Sequence, residues 1–210
     1  MTASQLTDFT DALQSSAPDY DVVLDQRALD GLSVYYELLN TWNARLHLVA
    51  PTSPAEFATR HILESLTLLK YLDDNAAVAD VGSGGGLPIL PCLILRQDIK
   101  ATLIESSPKK ALFLREVLKV TNTTSRASVI NDRFENVPAP EVEYVTCRAI
   151  ERFEELVPRL VAWSPPQSAL LLFGGENLKK PLENAGLQVE SELLPNSEKR
   201  FLFVVRKLGK

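Results

Sequence analysis

Val78-Ala79-Asp80-Val81-Gly82-Ser83-Gly84-Gly85-Gly86-Leu87-Pro88 is the segment of this chain best equipped for chemistry. It reads as a buried strand that ends on a carboxylate, passes through a glycine-rich turn and enters a helix. The apolar, β-branched run suits a parallel strand covered on both faces. The glycines permit positive φ and close approach of a ligand to the backbone. Pro88 suits a first helical turn, where its missing N–H has no partner to lose. Such an edge binds cofactors at the carboxyl end of a sheet strand.

The spacing limits which cofactor. A dinucleotide fingerprint needs a third glycine where this chain has Leu87, and the Gly-Lys-Ser/Thr of a phosphate-cradling loop is missing. An acid just before Gly82 and Gly84 instead suits a ligand with an amino group near the turn, as in the methionine part of S-adenosylmethionine. An ordinary glycine-rich strand–turn–helix joint is the alternative. Ala101-Thr102-Leu103-Ile104-Glu105 is a second apolar run ending in an acid, 25 positions after Asp80. An acid about 20 residues beyond such a turn accepts hydrogen bonds from ribose hydroxyls, a role that Glu105 fits; a solvated strand-end carboxylate is its alternative.

Further elements must hold these groups. Residues 1–75 read as a helical extension. From Asp25 to Asn43 the residues Leu29, Leu32, Tyr36, Leu39 and Trp42 form one apolar stripe, and Phe57, Ile62, Leu66 and Leu69 repeat it from Glu56 to Leu72. Residues 76–210 alternate strands (near 77–82, 101–105, 127–131, 142–147 and 168–173) with helices, which predicts a parallel sheet covered on both faces. Runs from Gly186 to Leu194 and from Arg200 to Arg206 predict a closing antiparallel hairpin. Pro108 to Val120 is a helix that Ser107 can cap.

The net charge of −5 excludes a protein that grips nucleic acid over its whole surface, but leaves room for local basic faces. Lys109, Lys110, Arg115 and Lys119 share a helix, and Lys179-Lys180, Lys199-Arg200 and Arg206-Lys207 cluster later. Two cysteines and two histidines make no metal-ligand set, and no metal is expected. No apolar run is long enough to span a membrane, and the first residues lack the pattern of a secretion signal. The expectation is a cytoplasmic protein with two reduced core thiols, Cys92 and Cys147.

The blocks Trp42-Asn43, Arg60-His61-Ile62-Leu63-Glu64-Ser65, Asp80 to Pro88, Leu103 to Leu114, Arg133-Phe134-Glu135 and Cys147-Arg148-Ala149 occur in that order. In them the chain resembles the glucose-inhibited division protein B family, the small-subunit (16S) ribosomal RNA guanine-N7 methyltransferases. The resemblance implies a Rossmann-like class I methyltransferase fold with S-adenosylmethionine as cofactor and ribosomal RNA or the small ribosomal subunit as partner. It further implies no membrane association, and a monomer is expected.

Within that resemblance the cofactor-binding candidates are Asp80, Gly82, Gly84, Leu87, Glu105, Phe134, Glu135 and Arg148. Phe134 would flank the adenine, with a structural turn residue as the alternative. Arg148 would sit beside the methionine end, across the cleft from Asp80; a salt bridge to Asp80 or Glu151 is its alternative. Guanine N7 attacks through a lone pair and has no proton to lose, so no general base is assigned. Arg60, His61 and Arg148 remain the candidates for catalytic or positioning roles, Arg60 on RNA phosphate and His61 closing the pocket. Two stretches depart from the family pattern: His47-Leu48-Val49 stands where Asn-Leu-Thr or Asn-Phe-Thr is usual, and Phe173-Gly174 where Lys-Gly is usual. The second removes a cation from the substrate side, for which Lys179 or Lys180 could substitute. Competing readings are a methyltransferase acting on a small molecule or protein, a dinucleotide-dependent oxidoreductase, and a non-catalytic cofactor-binding module.

Overall fold

A computed structural model describes residues 2–148, 153–184 and 186–207. Helices α1 (Ala3–Ser16) and α2 (Gln26–Leu46) open the chain. Thr2 and Gln5 close a reciprocal capping box on α1, and the Asp25 carboxylate caps α2 by accepting from the Ala28 N–H at 2.7 Å. His47 ends α2 in the left-handed region, at φ 49°. The expected helix from Glu56 to Leu72 is observed as a continuous but irregular helical run. It comprises α3 (Pro54–Phe57), a wide π-helical stretch Ala58–Leu63, α4 (Glu64–Leu66) and a tight turn Thr67–Lys70. Widened turns of this kind re-aim side chains and concentrate at functional sites; this one carries Arg60 and His61.

Seven strands follow: β1 (Ala77–Val81), β2 (Lys100–Ile104), β3 (Ala127–Ile130), β4 (Tyr144–Arg148), β5 (Ala169–Gly175), β6 (Gln188–Leu193) and β7 (Arg200–Arg206). They form one sheet in the order β3-β2-β1-β4-β5-β7-β6. The first five strands pair in parallel, and β7 is antiparallel to both β5 and β6. The strand order therefore reverses between β1 and β4, and ligands bind in this type of sheet at that switch point.

The pleat divides the sheet between two cores. Val78, Leu103, Tyr144, Leu171, Phe173 and Leu202 face the layer built by α1 to α4, α5 (Ile89–Leu95) and α6 (Pro108–Val120). Ala79, Val81, Val145, Leu170, Leu172 and Phe203 face α7 (Phe153–Trp163) and α8 (Lys179–Asn184). The helical extension thus shares its core with one face of the sheet.

Three local expectations change. Between β3 and β4 there is no α-helix, only the tight turn Phe134–Asn136, because Pro138 and Pro140 lack N–H donors that a helix needs. Ser107 makes no side-chain cap on α6; its own N–H donates to the Glu105 carboxylate instead, at 2.7 Å. Pro88 precedes α5 as its cap and follows a cis peptide bond, so it is not in the first helical turn.

Candidate active site

β1 delivers Asp80 to the switch point, and the turn after it is stitched to the neighbouring strand. The Gly82 and Ser83 N–H groups donate to the Ile104 carbonyl at 2.8 and 3.2 Å, and Gly86 N–H returns to the Ser83 carbonyl at 2.6 Å. Gly82, Gly84 and Gly86 all have positive φ. Glu105 spans the gap between turn and helix: one carboxylate oxygen accepts from Gly84 N–H at 2.9 Å and the other from Ser107 N–H at 2.7 Å. Its acceptor capacity exceeds these two bonds, so it can meet ribose hydroxyls while still holding the turn.

A cleft of ≈ 260 Å³ opens against this turn, between Gly82, Glu105, Arg133, Phe134, Glu135 and Leu156. Four of the expected cofactor-side residues, Gly82, Glu105, Phe134 and Glu135, therefore meet at one place. Phe134 packs edge-on against Trp163 at 5.4 Å and is nearly buried, so it serves the core as well as the cleft. Leu87 is different: its side chain lies in the helical-layer core, which leaves only its backbone for a ligand. A larger groove of ≈ 720 Å³ between α2, α5 and α6 lies elsewhere; its Arg27 and Arg126 already donate to main-chain carbonyls at the end of α5 and just beyond it.

Asp80 is fully buried, and neither carboxylate oxygen has a hydrogen-bond partner among the described residues. Burial pushes this carboxyl up to about 8; the nearby Ser83 hydroxyl, which donates to the Asp80 main-chain carbonyl at 2.9 Å, opposes the shift and the Glu105 charge adds to it. A buried acid without a partner is costly to keep, and it is the arrangement a cationic ligand group would complete. Tyr35, entirely buried, donates to the Gly85 carbonyl at 2.6 Å and ties the turn to α2.

The departure His47-Leu48-Val49 also lies here. The Asn43 amide clamps Val49 through two bonds, at 3.1 and 3.0 Å, and Leu48 is thereby held close over Gly85. Sequence reading found Trp42-Asn43 only as a motif; its physical task is this clamp and a Trp42–Phe113 ring contact.

Arg148 ends β4 on the same face of the sheet as Asp80, since Asp80 pairs in register with Thr146. It does not bridge to Asp80; Glu151, the other alternative, lies outside the described residues. Its guanidinium pairs with Glu64 at 3.0 Å, donates to the Arg60 carbonyl at 2.6 Å and Ser65 Oγ at 3.2 Å, and lies 5.3 Å over the Phe173 ring. The other Glu64 oxygen takes Arg200, with Nη2 at 2.6 Å. His61 makes no bond to Glu64: its ring packs at a tilt against Phe57, and its buried Nδ1 has no partner among the described residues. Burial, followed by the charges of Arg148, Arg60 and Arg200, pushes its pKa down to about 3, so it is neutral at pH 7. Arg60 is half-exposed and pairs with Glu56. Lys179 and Lys180 are exposed at the start of α8, whereas Arg200 stands directly across from Gly175. Sequence reading missed the Arg200–Glu64 link because 136 positions separate the two.

Among the described residues no group of His, Cys, Asp and Glu could hold a metal ion, and no helix is long and apolar enough to cross a membrane. Cys92 and Cys147 are buried free thiols.

Strand order, switch point and acidic glycine turn together define the fold of S-adenosylmethionine-dependent methyltransferases. The solved structure of such an enzyme from Aquifex aeolicus superimposes with a TM-score of 0.57 at 14% identity, over 71% of this chain and 92% of that one. Residues 28–203 match the GidB family, described as rRNA small subunit methyltransferase G, and the chain belongs to that family. Its relatives include a ribosomal RNA small subunit methyltransferase G from Sorangium cellulosum, 37% identical over 78% of this chain and 71% of the relative. Another, from a Roseiflexus species, is 31% identical over 95% of this chain and 92% of the relative.

Proposed function

We infer that this chain transfers a methyl group from S-adenosylmethionine to N7 of a guanosine in small-subunit ribosomal RNA. The observation that carries the reading is the partnerless, buried Asp80 carboxylate beside a glycine turn, in a chain of this family. Asp80 takes the ammonium of the methionine part, and Glu105 takes the ribose hydroxyls. The turn at Phe134 and Glu135 borders the adenine, and Arg148, held by Glu64 and Ser65 with no bond to Asp80, belongs to the acceptor side. When bound, S-adenosylmethionine supplies a methyl group on a cationic sulfur that is a good leaving group. The protein's part is to hold the guanine lone pair in line with that methyl, which is catalysis by orientation. No side chain has to remove a proton, and the neutral His61 is consistent with that. Arg60 meets RNA phosphate at the rim. The setting is the cytoplasm, with ribosomal RNA or the assembled small subunit as partner and the chain acting as a monomer.

Mapping of N7-methylguanosine in small-subunit ribosomal RNA, with and without this protein, tests the reading. Labelled methyl found only on small molecules or proteins, or at another base position, overturns it. Transfer should also fall steeply with added salt while cofactor binding hardly changes, because only the RNA contact releases many counterions. Arg60→Ala should flatten that salt dependence by roughly one unit of log–log slope; an unchanged slope removes Arg60 from the RNA contact.

Glu105→Ala is expected to weaken cofactor binding by about 1–3 kcal/mol, the scale for losing an acceptor that serves as a charged partner. Calorimetry giving an unchanged Kd would take Glu105 out of the cofactor site.

A further inference from the structure

We propose that Glu64 is a positioning residue for methyl transfer, holding the guanidinium groups of Arg148 and Arg200 toward the acceptor side of the pocket. The proposal rests on the methyltransferase reading above and adds a residue that acts through two others.

Glu64 is fully buried, yet it is shared by two arginines. One oxygen accepts from Arg148 Nη2 at 3.0 Å; the other accepts from Arg200 Nε at 2.8 Å and Nη2 at 2.6 Å. The three residues come from the helical run, the end of β4 and the start of β7. Parity in the sheet sets their common direction: Asp80, Arg148 and Phe173 share a face, because Arg148 pairs with Phe173 and Phe173 with Leu202. Arg200 lies two positions before Leu202 on that same face. Exposure rises outward from the carboxylate, with the side chains of Glu64, Arg148 and Arg200 exposed by 0%, 13% and 34%. The anion is therefore the root of the cluster, and the cations form its outer end.

Fold stability alone is a weak reason for such a triad. A buried ion pair can commonly be replaced by apolar residues of similar volume at no loss, and these elements are already joined by a continuous sheet and one core. What a buried carboxylate adds is fixed geometry for two guanidinium forks. One carboxylate against two guanidinium groups leaves one unit of positive charge, and the adjacent His61 is held neutral. Exposed Lys199 adjoins Arg200 in the chain, while Arg60 is paired with Glu56 and adds no net charge. A planar guanidinium fork in that position fits the phosphodiester next to the target nucleotide. The glycine-turn cleft with Glu105 and Phe134 is a different part of the site, so Glu64 should govern the acceptor and leave cofactor affinity alone.

The test compares wild type with Glu64→Gln and Glu64→Asp, using S-adenosylmethionine calorimetry, thermal unfolding, and kcat and KM of methyl transfer to small-subunit particles. Glu64→Gln should keep the cofactor Kd within about 2-fold and lower kcat/KM for the particle by about 100-fold, the scale of a misplacement near 1 Å. Glu64→Asp keeps the buried charge but draws it back by one methylene, and should show the same split at about a tenth of the size; it decides the matter if Glu64→Gln does not fold. Folded variants with full kcat/KM, or with cofactor affinity lost in parallel, overturn the role of Glu64 alone. A wild-type protein that methylates no small-subunit RNA overturns the methyltransferase reading, and this role with it.

Discussion

Replacing Asp80 by Asn is expected to weaken S-adenosylmethionine binding by about 3–5 kcal/mol, roughly two to four orders of magnitude in Kd, because one partner of a buried charge pair is lost. The ligand-free protein should tolerate the change, since the wild-type carboxylate has no partner among the described residues. Its raised pKa gives two further signatures. With the folded carboxyl near 8 and an unfolded one near 3.9, the folded state holds the extra proton between those values. The stability this contributes is complete below about 3.9 and is lost as pH rises through about 8. Asp80→Asn should remove that slope. Binding of an ammonium at pH 7 should likewise expel most of a proton from Asp80, so affinity should rise with pH up to about 8. Beyond it the ligand's own amino group, with a pKa of about 7.7–8.0, begins to deprotonate. Calorimetry in buffers of differing ionisation heat measures the proton count. An Asn variant that binds with wild-type affinity, or wild-type binding that releases no proton, removes Asp80 from the ammonium site.

Much of the fold was legible because the central strands are short apolar runs with clear stops, Gly82 after β1, Glu105 after β2 and Gly174-Gly175 at the end of β5. Asp80 and Glu105 could be read as a pair because they end consecutive parallel strands, where spacing in sequence translates directly into adjacency. The Arg148–Glu64–Arg200 cluster could not be read that way. It joins the helical run to two distant strands, and its geometry depends on sheet parity and on the order of the last two strands. The π-helical stretch under Arg60 and His61 was also hidden, since apolar spacing at three and four residues reads as an ordinary helix. On an ordinary helix His61 and Glu64, three positions apart, would share a face, whereas here the carboxylate turns into the core and the imidazole packs on Phe57. Ser107 looked like a cap by residue type alone; Glu105 takes its N–H because that carboxylate already sits above the helix start.

Glycines that look alike in sequence should respond very differently to alanine, and Gly86 should respond most. Its φ is +88°, and an added Cβ would lie 2.0 Å from Leu90 Cδ1 and 2.7 Å from its Cγ. Leu90 is fully buried in α5 and cannot swing away without opening the core. Backbone strain of about 1–2 kcal/mol then adds to an overpacking cost of about 1–3 kcal/mol. Gly86→Ala should therefore destabilise the protein by roughly 2–5 kcal/mol and disturb the cofactor turn. Gly186→Ala isolates the first contribution: φ there is +69°, but among the described residues nothing beyond its chain neighbours lies within 4 Å of the added atom. That variant should lose about 1–2 kcal/mol and bind the cofactor normally. Urea titration of both variants reads the two costs. Equal losses would mean that Leu90 gives way freely, and that the close packing of the glycine turn on α5 does not restrain the position of the site.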